Sequence, residues 1–282
     1  MIKRYLHVSS RMRKKTTSSA MWLKRQHKDP YVQKRHEDEY RARSAYKLLE
    51  MDEKYEGKLL LGPGAIVMEC GAAPGAWTQV AAQTVNAGGH YNKKGPQGNN
   101  VAINGSGSRR GKGHFLRLFT KSSFYKFNFK GIVVGCDLLY IEPLSGVILF
   151  PRSDFTLPET QQKILDVVST KLYGNPLKRP KFDVVLSDMA PNCSGQSQFD
   201  QDRILLLGYT ALRFALLHSL KGGNFVTKVW GGPKVEDFIQ DLRKYYKDVE
   251  KVKPQASRKE SSESFLVARD FIGIKEKKLD LS

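Results

Sequence analysis

Cysteine is scarce in this chain. Its 282 residues include three, Cys70, Cys136 and Cys193, far apart, with no CxxC pair and no histidine beside them. That argues against a disulfide framework and against a zinc site. Cys70 and Cys136 each close an apolar run and read as small buried residues, in keeping with a reducing compartment. No run of 18 apolar residues occurs, so no membrane-spanning helix is expected. The two common phosphate-cradling loops, G-x-G-x-x-G and Walker A, are missing as well. Acids are absent from the first 28 residues, which hold nine Lys or Arg interleaved with Ser9, Ser10, Thr16, Thr17, Ser18 and Ser19. Such a basic, hydroxylated, acid-free start over 1–28 reads as a mitochondrial presequence; the competing reading is a basic arm that touches RNA.

What is plentiful is positive charge. Forty-seven Lys and Arg stand against 28 Asp and Glu, a formal net charge of +19. Folding does not require that excess, which creates a field attracting a polyanion, nucleic acid first and an anionic membrane surface second. With 40% hydrophobic residues the chain has enough apolar side chains for a core. Its length suits one α/β domain with decorations, here taken as 29–282.

Alternation of short apolar runs with amphipathic stretches organises that domain. Residues 37–56 have the spacing of a helix. Residues 65–70 form a short apolar run, followed by a glycine turn from Gly71 to Gly75 and a helix over 76–85: strand, turn, helix, the first half of a βαβ unit. Further strands are expected at 132–136, 146–150, 182–187, 224–229, 249–253 and 263–268. Helices are expected at 159–172, 201–220, stopped by Gly222 and Gly223, and 234–246. The pattern predicts a mainly parallel sheet with helices on both faces. One segment breaks it. Residues 86–130 carry nine Lys or Arg and no acid, with eight glycines between 86 and 113, and read as a basic insertion in a surface loop.

Ligands of parallel sheets bind at the C-terminal ends of the strands. That singles out Gly71–Trp77, Asp137, Asp188 and Lys228. A glycine turn lets a ligand approach the backbone, and with no lysine after it to hold a phosphate, a phosphate-free ligand is favoured. Asp137 closes the second strand, where an acid commonly bonds ribose hydroxyls. Lys228 lies inside the apolar run 225–230, where an ammonium needs a partner, and Asp188 at a neighbouring strand end is the natural one.

These residues lie within motifs that resemble one family. Residues 182–195, FDVVLSDMAPNCSG, resemble the SDMAPNxSG motif of the FtsJ/RrmJ RNA ribose 2′-O-methyltransferases. Five more follow the family's pattern: ECGAAPGAWTQ at 69–79, GCDLLYIEP at 135–143, GGNFVTKV at 222–229, KPQASRKESSE at 253–263 and RSAYKL at 43–48. The likeness runs from about 29 to 272 outside the 86–130 insertion, which is not a general family feature. Ala76 stands where the family has a second glycine, and Trp230-Gly231 where it has Phe-Gln.

The resemblance implies a Rossmann-like class I methyltransferase fold with a seven-stranded sheet, S-adenosyl-L-methionine as cofactor and no metal. It implies a catalytic tetrad of Lys47, Asp188, Lys228 and Glu263. Cofactor contacts are implied for Gly71, Gly75, Trp77, Asp137, Asp154 and Asp188, with Asp154 resting only on the short match at 153–155. Lys228 is the candidate to handle the ribose proton, as neutral base or as cationic stabiliser. Length and leader together point to the mitochondrial, fungal-type members, which methylate a uridine in large-subunit ribosomal RNA. That implies an enzyme of the mitochondrial matrix acting as a monomer on rRNA, within a large subunit or its precursor, and supporting ribosome assembly. A tRNA ribose 2′-O-methyltransferase, or an RNA-binding ribosome-assembly factor on the same scaffold, are the alternatives. RNA is expected to lie near Lys24, Arg25, Lys28, Lys34, Arg35, Arg41 and Arg43.

The insertion generates a prediction. Deleting residues 88–112 leaves cofactor affinity unchanged and weakens RNA binding. The dependence of log affinity on log salt becomes shallower, by about one unit of slope for each phosphate no longer neutralised. Salt-dependent binding curves for the two proteins measure this, and identical slopes would remove the insertion from RNA recognition.

Overall fold

The computed structural model describes residues 29–88, 130–192, 194 and 197–274. The leader, nearly all of the insertion, with its phenylalanines, and Cys193 lie outside the described residues. The chain divides into two units, Met1–Glu39 and Tyr40–Ser282. In the first, Asp29 caps helix α1 (Pro30–Glu37): its carboxylate accepts the Tyr31 amide at 3.0 Å, and Pro30 supplies a φ suited to the first turn.

The second unit contains one seven-stranded sheet: β1 (Ile66–Cys70), β2 (Ile132–Cys136), β3 (Val147–Phe150), β4 (Phe182–Ser187), β5 (Ser219–Trp230), β6 (Tyr246–Val252) and β7 (Glu263–Phe271). The order is β3-β2-β1-β4-β5-β7-β6. All neighbours from β3 to β5 are parallel, and only β7, inserted between β5 and β6, runs antiparallel to both. The direction of strand succession reverses between β1 and β4, which opens a crevice above their carboxyl ends.

Both faces are covered, so the central strands read as continuous apolar runs. On one face Met68, Val134 and Val185 join a core with Ile164 and Val168 of α4 (Pro158–Tyr173), Phe214 of α5 (Ser197–His218) and Phe238 of α6 (Lys234–Arg243). Helix α6 shows why: Val235, Phe238, Ile239 and Leu242 form one stripe at helical spacing, with Glu236 and Asp237 in its first turn and Arg243 in its last. On the other face α3 (Ala76–Thr84) meets β1, where the Thr78 hydroxyl donates to Glu69 Oε2 at 2.6 Å. Helix α2 (Ala45–Lys54) packs on α3 through Ala45, Tyr46, Leu48 and Met51.

Two local expectations need correction. The helix expected over 37–56 is shorter, Ala45–Lys54. Residues 40–44 bond to α3 instead: Tyr40 Oη donates to Gln83 Oε1 at 3.2 Å, the Arg41 amide donates to Gln79 Oε1 at 2.8 Å, and Ser44 O accepts the Trp77 indole N–H at 2.8 Å. Gly222 and Gly223 do not stop a helix; they lie inside β5, since α5 ends at His218. A Cβ on Gly223 would come within 2.7 Å of the Asp183 carbonyl, so glycine is what permits β5 to close on β4 there. The ladder is irregular at this point, jumping from Phe182↔Ser219 to Val184↔Asn224.

Asn224 anchors that strand. Only 3% exposed, it donates to Lys58 O at 3.0 Å and Leu59 O at 2.9 Å, and accepts the Asp270 amide at 3.2 Å. Asn224→Ala removes the side-chain partner of three backbone groups, one buried and two part-buried. Stability is expected to fall by about 1–3 kcal/mol at least, read as a lower midpoint in urea denaturation at unchanged slope.

Candidate active site

The fold brings Lys47, Asp188, Lys228 and Glu263 together from four different elements. Asp188 follows β4, fixed by its amide donating to Cys70 O at 3.0 Å. Lys228 is the tenth residue of β5, only 9% exposed. Glu263 opens β7 and pairs in register with Trp230. Lys47 projects from α2, its ammonium 5.8 Å from the centre of the Phe265 ring.

Charge contacts close this group. Lys228 Nζ lies 2.5 Å from Asp188 Oδ1 and 3.8 Å from Glu263 Oε2, and donates to the Asp188 carbonyl at 3.0 Å. Lys47 Nζ lies 2.5 Å from Glu263 Oε1, which also accepts the Ser257 hydroxyl at 2.9 Å. Burial pulls the Lys228 ammonium toward losing its proton, but the carboxylates of Asp188 and Glu263 outweigh it, and its pKa stands above the ordinary lysine value. Burial likewise pushes Glu263 up, but Lys47 and Lys228 dominate and its pKa falls below the usual carboxylate range. Between those limits the ammonium and the carboxylate are both charged, so across neutral pH Lys228 is a cation.

The crevice beside this group is edged by acids and backbone. A Cβ on Gly71, at φ +80°, would sit 2.7 Å from the Met189 amide nitrogen, so glycine is required for the β1 and β4 ends to approach. Gly75 is the N-cap of α3. Asp137 Oδ2 accepts the Ala73 amide at 2.9 Å and its Oδ1 the Leu139 amide at 2.7 Å; each oxygen keeps a lone pair for a further donor. Ser153 N donates to Asp137 O at 2.8 Å, which sets Asp154 beside it, its Oδ1 accepting from the Thr156 amide and hydroxyl. Trp77 is 1% exposed, its indole spent on Ser44 O and its ring 5.4 Å from that of Phe265, so its side chain supports α2 from below.

Sequence reasoning missed several residues that shape the site. Arg41, expected among RNA contacts, spans the glycine turn: its guanidinium donates to Pro74 O at 3.3 Å, Glu142 O at 2.7 Å and Pro143 O at 2.9 Å. Arg43, expected there too, donates to Ala256 O. Both are turned to backbone carbonyls of their own chain. No periodicity betrays such partners, which lie 33 to 213 residues away. Ser257 sits inside the matched KPQASR segment, and that placement was its only signal.

A scan of the chain against family models matches the FtsJ-like methyltransferase family over residues 40–271. The chain belongs to that family. It is 38% identical over 259 residues to the mitochondrial rRNA methyltransferase 2 of Drosophila melanogaster, covering 92% of this chain and 85% of that protein. It is 34% identical over 261 residues to the ribosomal RNA large subunit methyltransferase E of Zymomonas mobilis, covering 93% and 92%. Among solved structures, a Plasmodium falciparum chain described as a ribosomal RNA methyltransferase superposes with a TM-score of 0.58 at 21% identity, covering 83% of this chain and all of that one, a likeness of fold.

One buried acid of the site generates a pH prediction. Glu69 is 1% exposed; burial raises its carboxyl to about 8, the Thr78 hydroxyl opposes this in part, and Asp188 and Asp137 add to it. Folded Glu69 keeps its proton up to about 8 while the unfolded side chain has lost it near 4.5. The folded state binds more protons in that window, so stability falls as pH rises through it, by at most about 1.4 kcal/mol per pH unit from this group. Glu69→Gln removes that slope. Denaturation midpoints from pH 5 to 8 should decline more gently in the variant, and parallel curves would mean Glu69 is ionised in the fold.

Proposed function

We propose that the chain transfers a methyl group from S-adenosyl-L-methionine to a ribose 2′-oxygen of mitochondrial large-subunit ribosomal RNA. One observation carries the reading: Lys228, Asp188, Glu263 and Lys47 converge at the crevice where the strand order reverses. The two relatives' names support rRNA as substrate, and the Drosophila relative together with the acid-free basic leader supports the mitochondrion. The net charge of +19 supports a nucleic-acid partner.

The crevice suits the cofactor's chemistry. Two lysines of the tetrad face two of its carboxylates and cancel. Asp137 and Asp154 add carboxylates at the crevice edge, which favours a ligand that brings hydrogen-bond donors or positive charge over one that brings phosphates. Asp188 Oδ1 is buried and, among the described residues, meets no donor besides the Lys228 ammonium, and Asp137 keeps acceptor capacity for ribose hydroxyls. Asp137, Asp154, Asp188 and the backbone from Gly71 to Gly75 would hold the group, beside the wall that Trp77 backs. When bound it supplies an activated methyl on a sulfonium, so the protein's remaining tasks are alignment and one proton.

A free 2′-hydroxyl is a very weak acid, and its proton must leave as the oxygen attacks. Lys228 Nζ, cationic at neutral pH, stabilises the negative charge growing on that oxygen. The Asp188 carboxylate, ion-paired to Nζ through Oδ1 at 2.5 Å, is the base beside that ammonium and takes up the proton. Glu263 holds Lys228 in place and is itself held by Lys47 and Ser257. Water exclusion and alignment at this rigid junction supply much of the remaining rate.

Lys228→Ala lowers the single-turnover rate on mitochondrial large-subunit rRNA by about 10²–10³-fold, the usual range for losing one group that stabilises a developing negative charge, with cofactor affinity nearly unchanged. Replacing the target nucleotide by its 2′-deoxy form abolishes transfer in the wild type. A variant retaining most of the rate removes Lys228 from the reaction, and transfer to 2′-deoxy RNA sinks the reading of the 2′-oxygen as acceptor.

A further inference from the structure

Two segments leave the catalytic strand ends and draw together again beyond them. One follows Asp188 and enters α5, whose first turns carry Gln198, Gln201 and Leu205. The other follows Lys228 and passes Trp230 before α6 begins. A cleft of about 320 Å³ lies between them. Leu205 and Val235 line it as apolar side chains only 7% and 3% exposed, and half-buried Trp230 lines it too. The exposed carboxamide of Gln198 adds a donor and an acceptor, that of Gln201 lies against Gly232, and the ion pair Lys234–Asp202, at 2.7 Å, completes the lining.

Its place separates the cleft from the cofactor crevice. The strand order runs β2-β1-β4-β5; the crevice acids Asp137 and Asp188 follow β2 and β4, whereas the cleft adjoins the end of β5, on the far side of Lys228. Trp230 is two residues beyond Lys228, roughly 6.6 Å along a strand, and stands opposite Glu263 in the ladder. The cleft therefore neighbours the tetrad along β5, a spacing comparable to that between a ribose hydroxyl and a nearby base.

Its chemistry is that of a planar heterocycle with polar edges. The volume lies at the lower end of small-ligand pockets, room for one ring system and none for a duplex. Apolar contact and an indole suit a ring face, and a carboxamide suits a base edge. RNA is read in this way when single bases are unstacked and splayed out. In this chain Trp230 stands where the family motif has Phe, which enlarges the aromatic surface.

We propose that this cleft receives one unstacked nucleobase of the RNA, that of the nucleotide being methylated or of its immediate neighbour. The inference rests on RNA being the substrate. Stacking on an aromatic side chain typically changes affinity by about 5- to 100-fold per base.

The test uses the full-length protein and a nonanucleotide with a single ribouridine among 2′-deoxy neighbours, which fixes the register. Trp230→Ala is expected to weaken its binding by about 5- to 100-fold, Gln198→Ala by a smaller factor and Trp230→Phe hardly at all, with S-adenosylhomocysteine affinity unchanged by calorimetry. Abasic substitution at the ribouridine and at each neighbour then locates the base: at one position it weakens wild-type binding as much as Trp230→Ala does, and adds nothing in that variant. Unchanged binding in both Trp230→Ala and Gln198→Ala overturns the cleft, as does additivity at every position. Methyl transfer by the wild type is scored separately. Transfer with no effect of the variants defeats the cleft alone, and base-dependent binding without transfer defeats the catalytic reading alone.

Discussion

An ammonium buried inside a sheet has to be neutralised, and the second unit is arranged around that requirement at Lys228. Taking an unpaired charge out of water costs several kcal/mol, far more than one local contact returns. Its partners are a carboxylate at the end of β4 and another at the start of β7, the second itself held by a lysine from α2. Each charge comes from a different element, so the group exists only when β4, β5, β7 and α2 are all in register. Its members lie 35 to 216 residues apart in sequence, and only the sheet makes them neighbours.

The same junction separates two electrostatic tasks that the net charge alone conceals. A chain carrying an excess of 19 positive charges nonetheless lines its crevice with Asp137, Asp154 and Asp188. The excess attracts a polyanion over a distance set by salt. The acids act at contact range, where the low-dielectric crevice favours a small cationic ligand. Two of the arginines that could have joined the outer field, Arg41 and Arg43, instead bond to carbonyls of the glycine turn, the β2–β3 connection and the Ala256 loop. They hold the walls of the site at fixed spacing.

Close packing at the strand ends has a cost carried by a few residues. Gly71 and Gly223 accept approaches that a Cβ would forbid. Glu69 lies beneath the crevice with a raised pKa and one short hydrogen bond from Thr78. A protonated carboxyl there adds no further negative charge under Asp137 and Asp188, so the acids above it act on the ligand alone.

Much of this was legible before folding. Strands buried on both faces read as apolar runs, so β1, β2 and β4 stood out with their bounds nearly right, and the stripe of α6 followed from helical spacing. Asp188 and Lys228 were conspicuous because a charge beside or inside an apolar run demands a partner. Lys47 and Glu263 carried no such mark; the family's motifs alone drew attention to them. What only tertiary structure decided were the long-range contacts: that residues 40–44 are spent on α3 and leave α2 short, that Gly222 and Gly223 continue β5, that Arg41 and Arg43 bond to backbone carbonyls, and that α5 and the turn after β5 enclose a cleft. Local sequence sets which residues must be buried, through a solvation preference each one carries alone. Partner choice depends on which distant segments the sheet brings together, and no residue carries that information by itself.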